Sequence, residues 1–163
     1  MMNMENIVHK EKEGAKIKGI WKFTIRDAKT GELKRIYNYE NLIPTAGRNN
    51  IAKALAGDLS AISETEINFT SLGSGVTAPA NGDTTLETEV FRKAVASSTS
   101  SSNQLFVTAF YIAVEAVGTH REAGLHIDGT AGVDTGVLFS RVAINVTKTI
   151  TETLTIDYTV TIT

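Results

Sequence analysis

The chain has 163 residues, 42% of them hydrophobic, and a net charge of −2, enough to bury roughly 70% of the surface its unfolded form exposes and so to build one stable domain. Near-neutrality, with no segment in which clustered Lys/Arg interleave with aromatics, excludes a nucleic-acid groove, and the absence of cysteine removes disulfides, a cysteine nucleophile and thiolate metal sites together. No apolar run reaches the ~20 residues that span a bilayer and the opening MMNMENIVHKEKEGAK lacks a signal-peptide core, so a soluble cytoplasmic product with no membrane partner is expected.

Met1 to Ala15 are polar, mixed in charge and aperiodic, which predicts a mobile leader or arm, with order beginning near Lys16. Ile17, Gly19, Trp21, Phe23 and Ile25 then alternate with Lys16, Lys18, Lys22, Thr24 and Arg26, the two-residue period of a strand with one buried face, Ile20 being the misfit. DAKTGEL supplies turn chemistry, Asp27 bonding nearby backbone and Gly31 free to take a positive φ. The return through LKRIYNYENL makes residues 16–42 a charged hairpin, its basic groups forming a solvated face or protecting an edge.

In PTAGRNNIAKALAG, opened by Pro44 and Thr45, the spacing of Ile51, Ala52 and Leu55 predicts a short helix, with Gly57 at its C-terminal cap. A strand follows over Glu66 to Leu72. Thr84 to Ala96 reads as a second helix, because Thr84 and Glu87 have capping-box spacing and Leu86, Val90, Phe91 and Ala94 share one side. SSTSSSN, Ser97 to Asn103, reads as a flexible turn. Gln104 to Ala116, apolar nearly throughout, predicts a central strand covered on both faces. GTHREAGLHIDGTAGVDTG mixes a short strand at Leu125 to Ile127 with a glycine-rich turn, and Val137 to Val146 forms another strand. In the closing KTITETLTIDYTVTIT, Ile150, Leu154, Ile156, Tyr158, Val160 and Ile162 fall on one parity and the threonines with Asp157 on the other, as in a sheet with one packed face. The sum is a mainly β fold: an antiparallel, jelly-roll-like β-sandwich with two short helices and an N-terminal hairpin.

Catalytic patterns are weak. SLGSGVTAPANGDTTLETEVFR opens like a phosphate cradle, but Gly73 and Gly75 are followed by no lysine until Lys93, and Ala78 stands where a dinucleotide fingerprint needs glycine. The spacing of His120 and His126 fits no metal-ligand pattern; with His9 they read as surface or strand-end histidines, and no cofactor or metal is expected. The serine cluster lacks a nucleophile-elbow context, and nothing in the spacing selects a hydrolytic pair from Glu115, Glu122 and Asp134. Glu122, between Arg121 and the apolar AGLHI, needs an ion partner or backbone donors and is expected to fix the turn that follows.

Five stretches, NLIPTAGRNNIAKALAG, LGSGVTAPANGDTTLETEVFR, REAGLHI, GVLFSRV and KTITETLTIDYTVTIT, stand in an order that resembles a family of small structural proteins of tailed bacteriophages and prophages, over Asn41 to Thr163, some three quarters of the chain. The family's G-x-G-x-x-x-P-x-x-x-D-T-x-L-x-x-E-x-x-R pattern is met by Gly73, Gly75, Pro79, Asp83, Thr84, Leu86, Glu89 and Arg92; its E-x-G-L by Glu122, Gly124 and Leu125; its L-F-x-R by Leu138, Phe139 and Arg141. The resemblance implies a non-enzymatic virion subunit of tail, baseplate or fibre, assembled in the host cytoplasm with other virion proteins and as a homo-oligomer, a trimer or sixfold ring. On this reading Gly73 and Gly75 release the chain from a strand, Pro79 stiffens the crossing, Asp83 or Thr84 starts a helix and Arg92 pairs with Glu89 or an acid across the fold. The alternatives are capsid decoration and a host-surface glycan-binding module. Trp21, Tyr37 and Tyr39 are the aromatics available to a glycan, although alternation turns Trp21 toward the core.

Overall fold

The structure, a computed structural model, describes residues 16–58, 60 and 65–163; the leader expected over Met1 to Ala15 lies outside the described residues. In β1 (Ile17–Asp27) the alternation is realised: Trp21, Phe23 and Ile25 are fully buried, Lys18, Lys22 and Arg26 are exposed, and Ile20 points outward. Asp27 Oδ1 accepts from the N–H groups of Lys29 and Thr30, both at 3.0 Å, and Gly31 sits at φ +74°, so the turn into β2 (Leu33–Glu40) is closed by its own side chain. Pro44 precedes α1 (Thr45–Ala56), and Gly57, left-handed at φ 69°, returns its N–H to the Ala54 carbonyl, which ends the helix where the sequence places its cap. Among the described residues α1 is the only helix.

The remaining strands are β3 (Ile67–Gly73), β4 (Glu89–Ala94), β5 (Ser97–Ser101), β6 (Gln104–Tyr111), β7 (Gly118–Ile127), β8 (Val137–Lys148) and β9 (Glu152–Ile162). They form two antiparallel sheets, ordered β2-β1-β9-β6-β5 and β4-β3-β7-β8. β9 takes the middle of the larger sheet and buries Leu154, Ile156, Tyr158 and Val160, whereas Ile150 and Ile162, of the same parity, stay exposed beyond and at its end. The sheets share one buried cluster: Trp21 Nε1 donates to Ser140 Oγ at 3.1 Å, Tyr111 Oη donates to Thr70 Oγ1 at 3.4 Å, and the rings of Phe139 and Tyr158 meet edge-on at 6.5 Å.

Four local expectations are corrected. The second helix is absent: 84–88 is a bent loop and residues 89–94 are strand β4. Glu87, instead of capping Thr84, accepts from Thr77 N and Oγ1, both at 2.8 Å, and Phe91 stands opposite Leu72 in the β3 ladder. Pairing with β3 satisfies the backbone that a helix would otherwise have satisfied internally. The serine run is likewise not a flexible turn, because residues 97–101 pair with β6, Thr99 opposite Phe106. β6 stops at Tyr111, and Phe106 and Phe110 lie on an uncovered face, 36% and 43% exposed. β7 runs ten residues rather than three; its charged positions are accommodated by partners from other segments.

Candidate functional site

Leu72, Ala123 and Leu125 face the shared core, so their ladder neighbours Ser71, Gly73, Glu122, Gly124 and His126 lie on the other side of the four-stranded sheet. That side is roofed by the loop of residues 74–88. Leu86, 4% exposed, is its apolar anchor and packs above Gly124, where an added Cβ would meet Leu86 Cδ2 at 3.1 Å and Ser71 Oγ at 2.9 Å.

Beneath the roof Glu122 and Arg141 are closed off, their side chains 1% and 3% exposed. Glu122 Oε1 accepts from Gly75 N (3.1 Å) and Thr88 N (2.8 Å); Oε2 accepts from Glu87 N (3.0 Å) and from Arg141 Nε and Nη2 (3.1 and 2.8 Å). Arg141 Nη1 donates to Asp83 Oδ2 at 2.6 Å, which also accepts from Ala80 N at 2.8 Å. Gly73 and Gly75 are needed for close approach: a Cβ at either would fall 2.5 Å from Glu122 Oε1, well inside contact distance. Burial opposes the Arg141 charge, but Asp83 and Glu122 outweigh it and hold its pKa above the ordinary value. Burial also works against ionised Asp83, yet the Ala80 N–H and Arg141 bring its pKa below the usual carboxylate value. Glu122 thus has the ion partner and backbone donors its sequence context demands. The segment it fixes is not the turn after it but a loop some 35 to 47 residues earlier.

A second buried set lies on the same side of the sheet. Arg92 grips Glu89 with two parallel bonds, Nε to Oε1 at 2.6 Å and Nη2 to Oε2 at 2.8 Å, and its Nη1 donates to the Thr135 carbonyl at 2.8 Å, tying the 128–136 loop to β4. His126 Nε2 lies 2.7 Å from Ser71 Oγ and 3.4 Å from Arg92 Nη2. Because Arg92 has only donors, Nε2 presents its lone pair and the ring proton sits on Nδ1, an atom with no hydrogen-bond partner in the fold. Burial, aided by Arg92, pushes the His126 pKa down to about 3. His120 is buried as well, its Nε2 2.9 Å from the Ala116 carbonyl, with its pKa lowered by burial. Neither is a surface histidine: His120 stands near the start of β7 and His126 next to its end, and both are buried.

The other residues singled out in the sequence are scattered. Pro79 and Thr84 belong to the roof loop, half-buried and exposed. Trp21 is fully buried. Tyr37 and Tyr39 stack at 6.5 Å on β2, half-buried against the core, and Tyr39 Oη accepts from Asn145 N. Glu115 pairs with Lys93, and Asp134 lies in the 128–136 loop at φ 57°. No three of the described His, Asp and Glu side chains form a metal-holding group, and no described helix is long and apolar enough to cross a membrane.

Open surface features lie elsewhere and were not legible as sites. On the outer face of the larger sheet, a hollow of about 470 Å³ is lined by Lys22, Asn38, Gln104, Asp157 and threonines of β9. An apolar groove, also about 470 Å³, runs beside α1 past Ile17, Ile51, Leu55, Leu105 and Ile162. At the other end of the strands the 112–117 loop exposes Ile112, Val114 and Val117. No protein family, curated protein or solved structure matches this chain.

Proposed function

We propose that this chain is a non-enzymatic structural subunit of a tailed-bacteriophage particle, in the tail, baseplate or fibre, acting through contacts with other virion proteins and with copies of itself. The observation that carries the reading is how the ordered motifs meet. Gly73, Gly75, Asp83, Glu122 and Arg141, from three separate stretches, close on one another under a roof loop, and Glu89 and Arg92 do the same for a second loop. These groups line none of the hollows described above; they stiffen a shell, which suits a protein whose task is to hold a shape inside an assembly. The two sheets read as the layers of a β-sandwich, the first strand beside the last; hairpins β3–β4, β5–β6 and β7–β8 each stay within one sheet, which departs from a jelly-roll winding.

The test is particle composition. Mass spectrometry of purified tailed particles encoded beside this gene should find the chain in fixed stoichiometry, and deleting its gene should remove a defined feature in electron micrographs. Loss from the head surface alone would assign it to capsid decoration; absence from intact particles would refute the reading. A glycan-binding role has one supporting observation: Phe106, Phe110 and Ile20 stand exposed near Asn38, Gln104 and Asp157 on the outer sheet face, an aromatic-and-polar mixture suited to a sugar. Glycan-array binding that is lost in Phe106→Ala would support it.

A further inference from the structure

We propose that copies of this chain associate head to tail, the apolar loop of residues 112–117 in one copy seating in the groove beside α1 of the next. The proposal rests on the structural-subunit reading and names its contact.

The loop joins β6 to β7, and its outward side chains are aliphatic: Ile112, Val114 and Val117 are 47%, 68% and 50% exposed, and Ile150 in the adjoining β8–β9 turn is 62% exposed. Connecting loops are ordinarily more mobile than the strands they join. Here the backbone behind these side chains is tied down. Glu115 pairs with Lys93 and accepts from Ile112 N at 3.0 Å; the buried Lys148 Nζ donates to the Ala113 carbonyl at 2.7 Å; His120 Nε2 holds the Ala116 carbonyl. Ala116 itself is kept at φ 48°, a conformation a non-glycine residue takes only when its surroundings impose it. A tip fixed in this way loses little conformational freedom on docking.

The groove lies at the opposite end of the same strands. Leu105 opens β6, Ile127 closes β7, Phe139 lies near the start of β8 and Ile162 ends β9; α1 adds Ile51 and Leu55, the latter 86% exposed. A convex aliphatic tip and a concave aliphatic groove at opposite ends cannot satisfy each other within one copy. Between copies they form a heterologous contact, which repeats until it closes a ring or continues as a filament.

Area explains why this contact needs repetition. At about 100 Å² per aliphatic side chain, the exposed fractions on the tip amount to roughly 200 Å², and the groove offers a similar amount. With apolar atoms supplying a little over half of a typical interface, the joint buries on the order of 800 Å², short of the ~1,200–2,000 Å² of a stable pair. Two isolated copies therefore bind weakly, and a closed ring or a particle that presents copies side by side holds them.

The experiment is sedimentation of the full chain over a concentration series, with Val114→Asp at the tip and Leu55→Asp in the groove. Both positions are solvent-exposed in the monomer, so each variant keeps the wild-type circular dichroism. Wild type is expected to grow past the dimer with concentration, and each variant alone to associate at least tenfold more weakly. An equimolar mixture of the two is expected to associate more strongly than either variant alone but to stop at the dimer, since Val114→Asp retains its groove and Leu55→Asp its tip. A mixture no more associated than either variant alone, or variants that assemble like wild type, overturns the contact while leaving the structural-subunit reading to particle composition. A wild-type chain that stays monomeric also overturns it; if Leu55→Asp then makes residues 1–15 newly sensitive to protease, that segment and not a second copy fills the groove. Head-to-tail assembly by a chain absent from purified particles would refute the subunit reading instead.

Discussion

Replacing Glu122 by glutamine changes shape hardly at all and tests the buried network directly. Each carboxylate oxygen faces only donors: Gly75 N and Thr88 N at Oε1, Glu87 N and two Arg141 nitrogens at Oε2. An amide placed there must turn its own N–H groups toward one of those sets, whichever way it flips. The guanidinium, 3% exposed, also keeps only Asp83 as an ionic partner. Removing one member of a buried pair costs about 3–5 kcal/mol, much of it from stranding the other charge, against a total stability of about 5–15 kcal/mol. For a chain of this size that corresponds to a fall in Tm of roughly 6–20 °C. Urea and thermal unfolding measure the global loss, and hydrogen exchange at the amides of Gly75, Glu87 and Thr88 reads the loop itself. Because a neutral partner no longer strands a charge, Glu122→Gln combined with Arg141→Met should lose less than the sum of the two single changes. A Glu122→Gln chain within about 1 kcal/mol of wild type, with those three amides as protected as before, would refute the claim that Glu122 holds the roof.

Other expectations follow from the same geometry. Gly75→Ala forces a Cβ to 2.5 Å from Glu122 Oε1 and Glu87 Cβ and should destabilise by about 1–3 kcal/mol, whereas Gly82→Ala, with no atom within 4 Å, should be neutral or stabilise by up to ~1 kcal/mol; urea midpoints compare the two. Leu86→Ala removes the buried anchor of the roof and should cost about 2–5 kcal/mol, with the largest gain in hydrogen exchange confined to residues 74–88. His126 titrates in the unfolded chain near 6.5 and in the fold at about 3. Since the lower folded pKa means that the unfolded state binds more protons between those values, stability should fall as pH drops below about 6.5. Nitrogen chemical shifts of the imidazole should stay those of the neutral, Nδ1-protonated ring down to about pH 4; titration near 6.5 would contradict the burial argument. Asp83 and Glu87, their pKa values lowered in the fold, add a loss of stability that begins below about pH 5, where the unfolded carboxylates start to protonate while the folded ones stay ionised.

Local chemistry alone determined the pieces whose signals are short-range. Alternation defined β1 and β9, because a strand with one buried face repeats every two residues wherever its partners are; Asp27 closed its own turn and Gly57 ended α1 through bonds spanning a few residues. Arg92 found Glu89 three residues away. Tertiary structure decided the rest, where a residue's partner lies far along the chain. The Thr84–Glu87 spacing carries helical meaning only if the backbone has nothing better to pair with, and β3 offered a ladder. SSTSS has no amphipathic pattern, so only the neighbouring β6 made it a strand. His120 and His126 became buried because other segments close over β7. Glu122 was legible as a carboxylate in need of partners, but not which ones: Arg141 lies 19 residues on, and Asp83 joins Arg141 across 58. No local pattern encodes a contact of that span; the folding of the sheet brings the groups together, and their desolvation then makes the pairing obligatory.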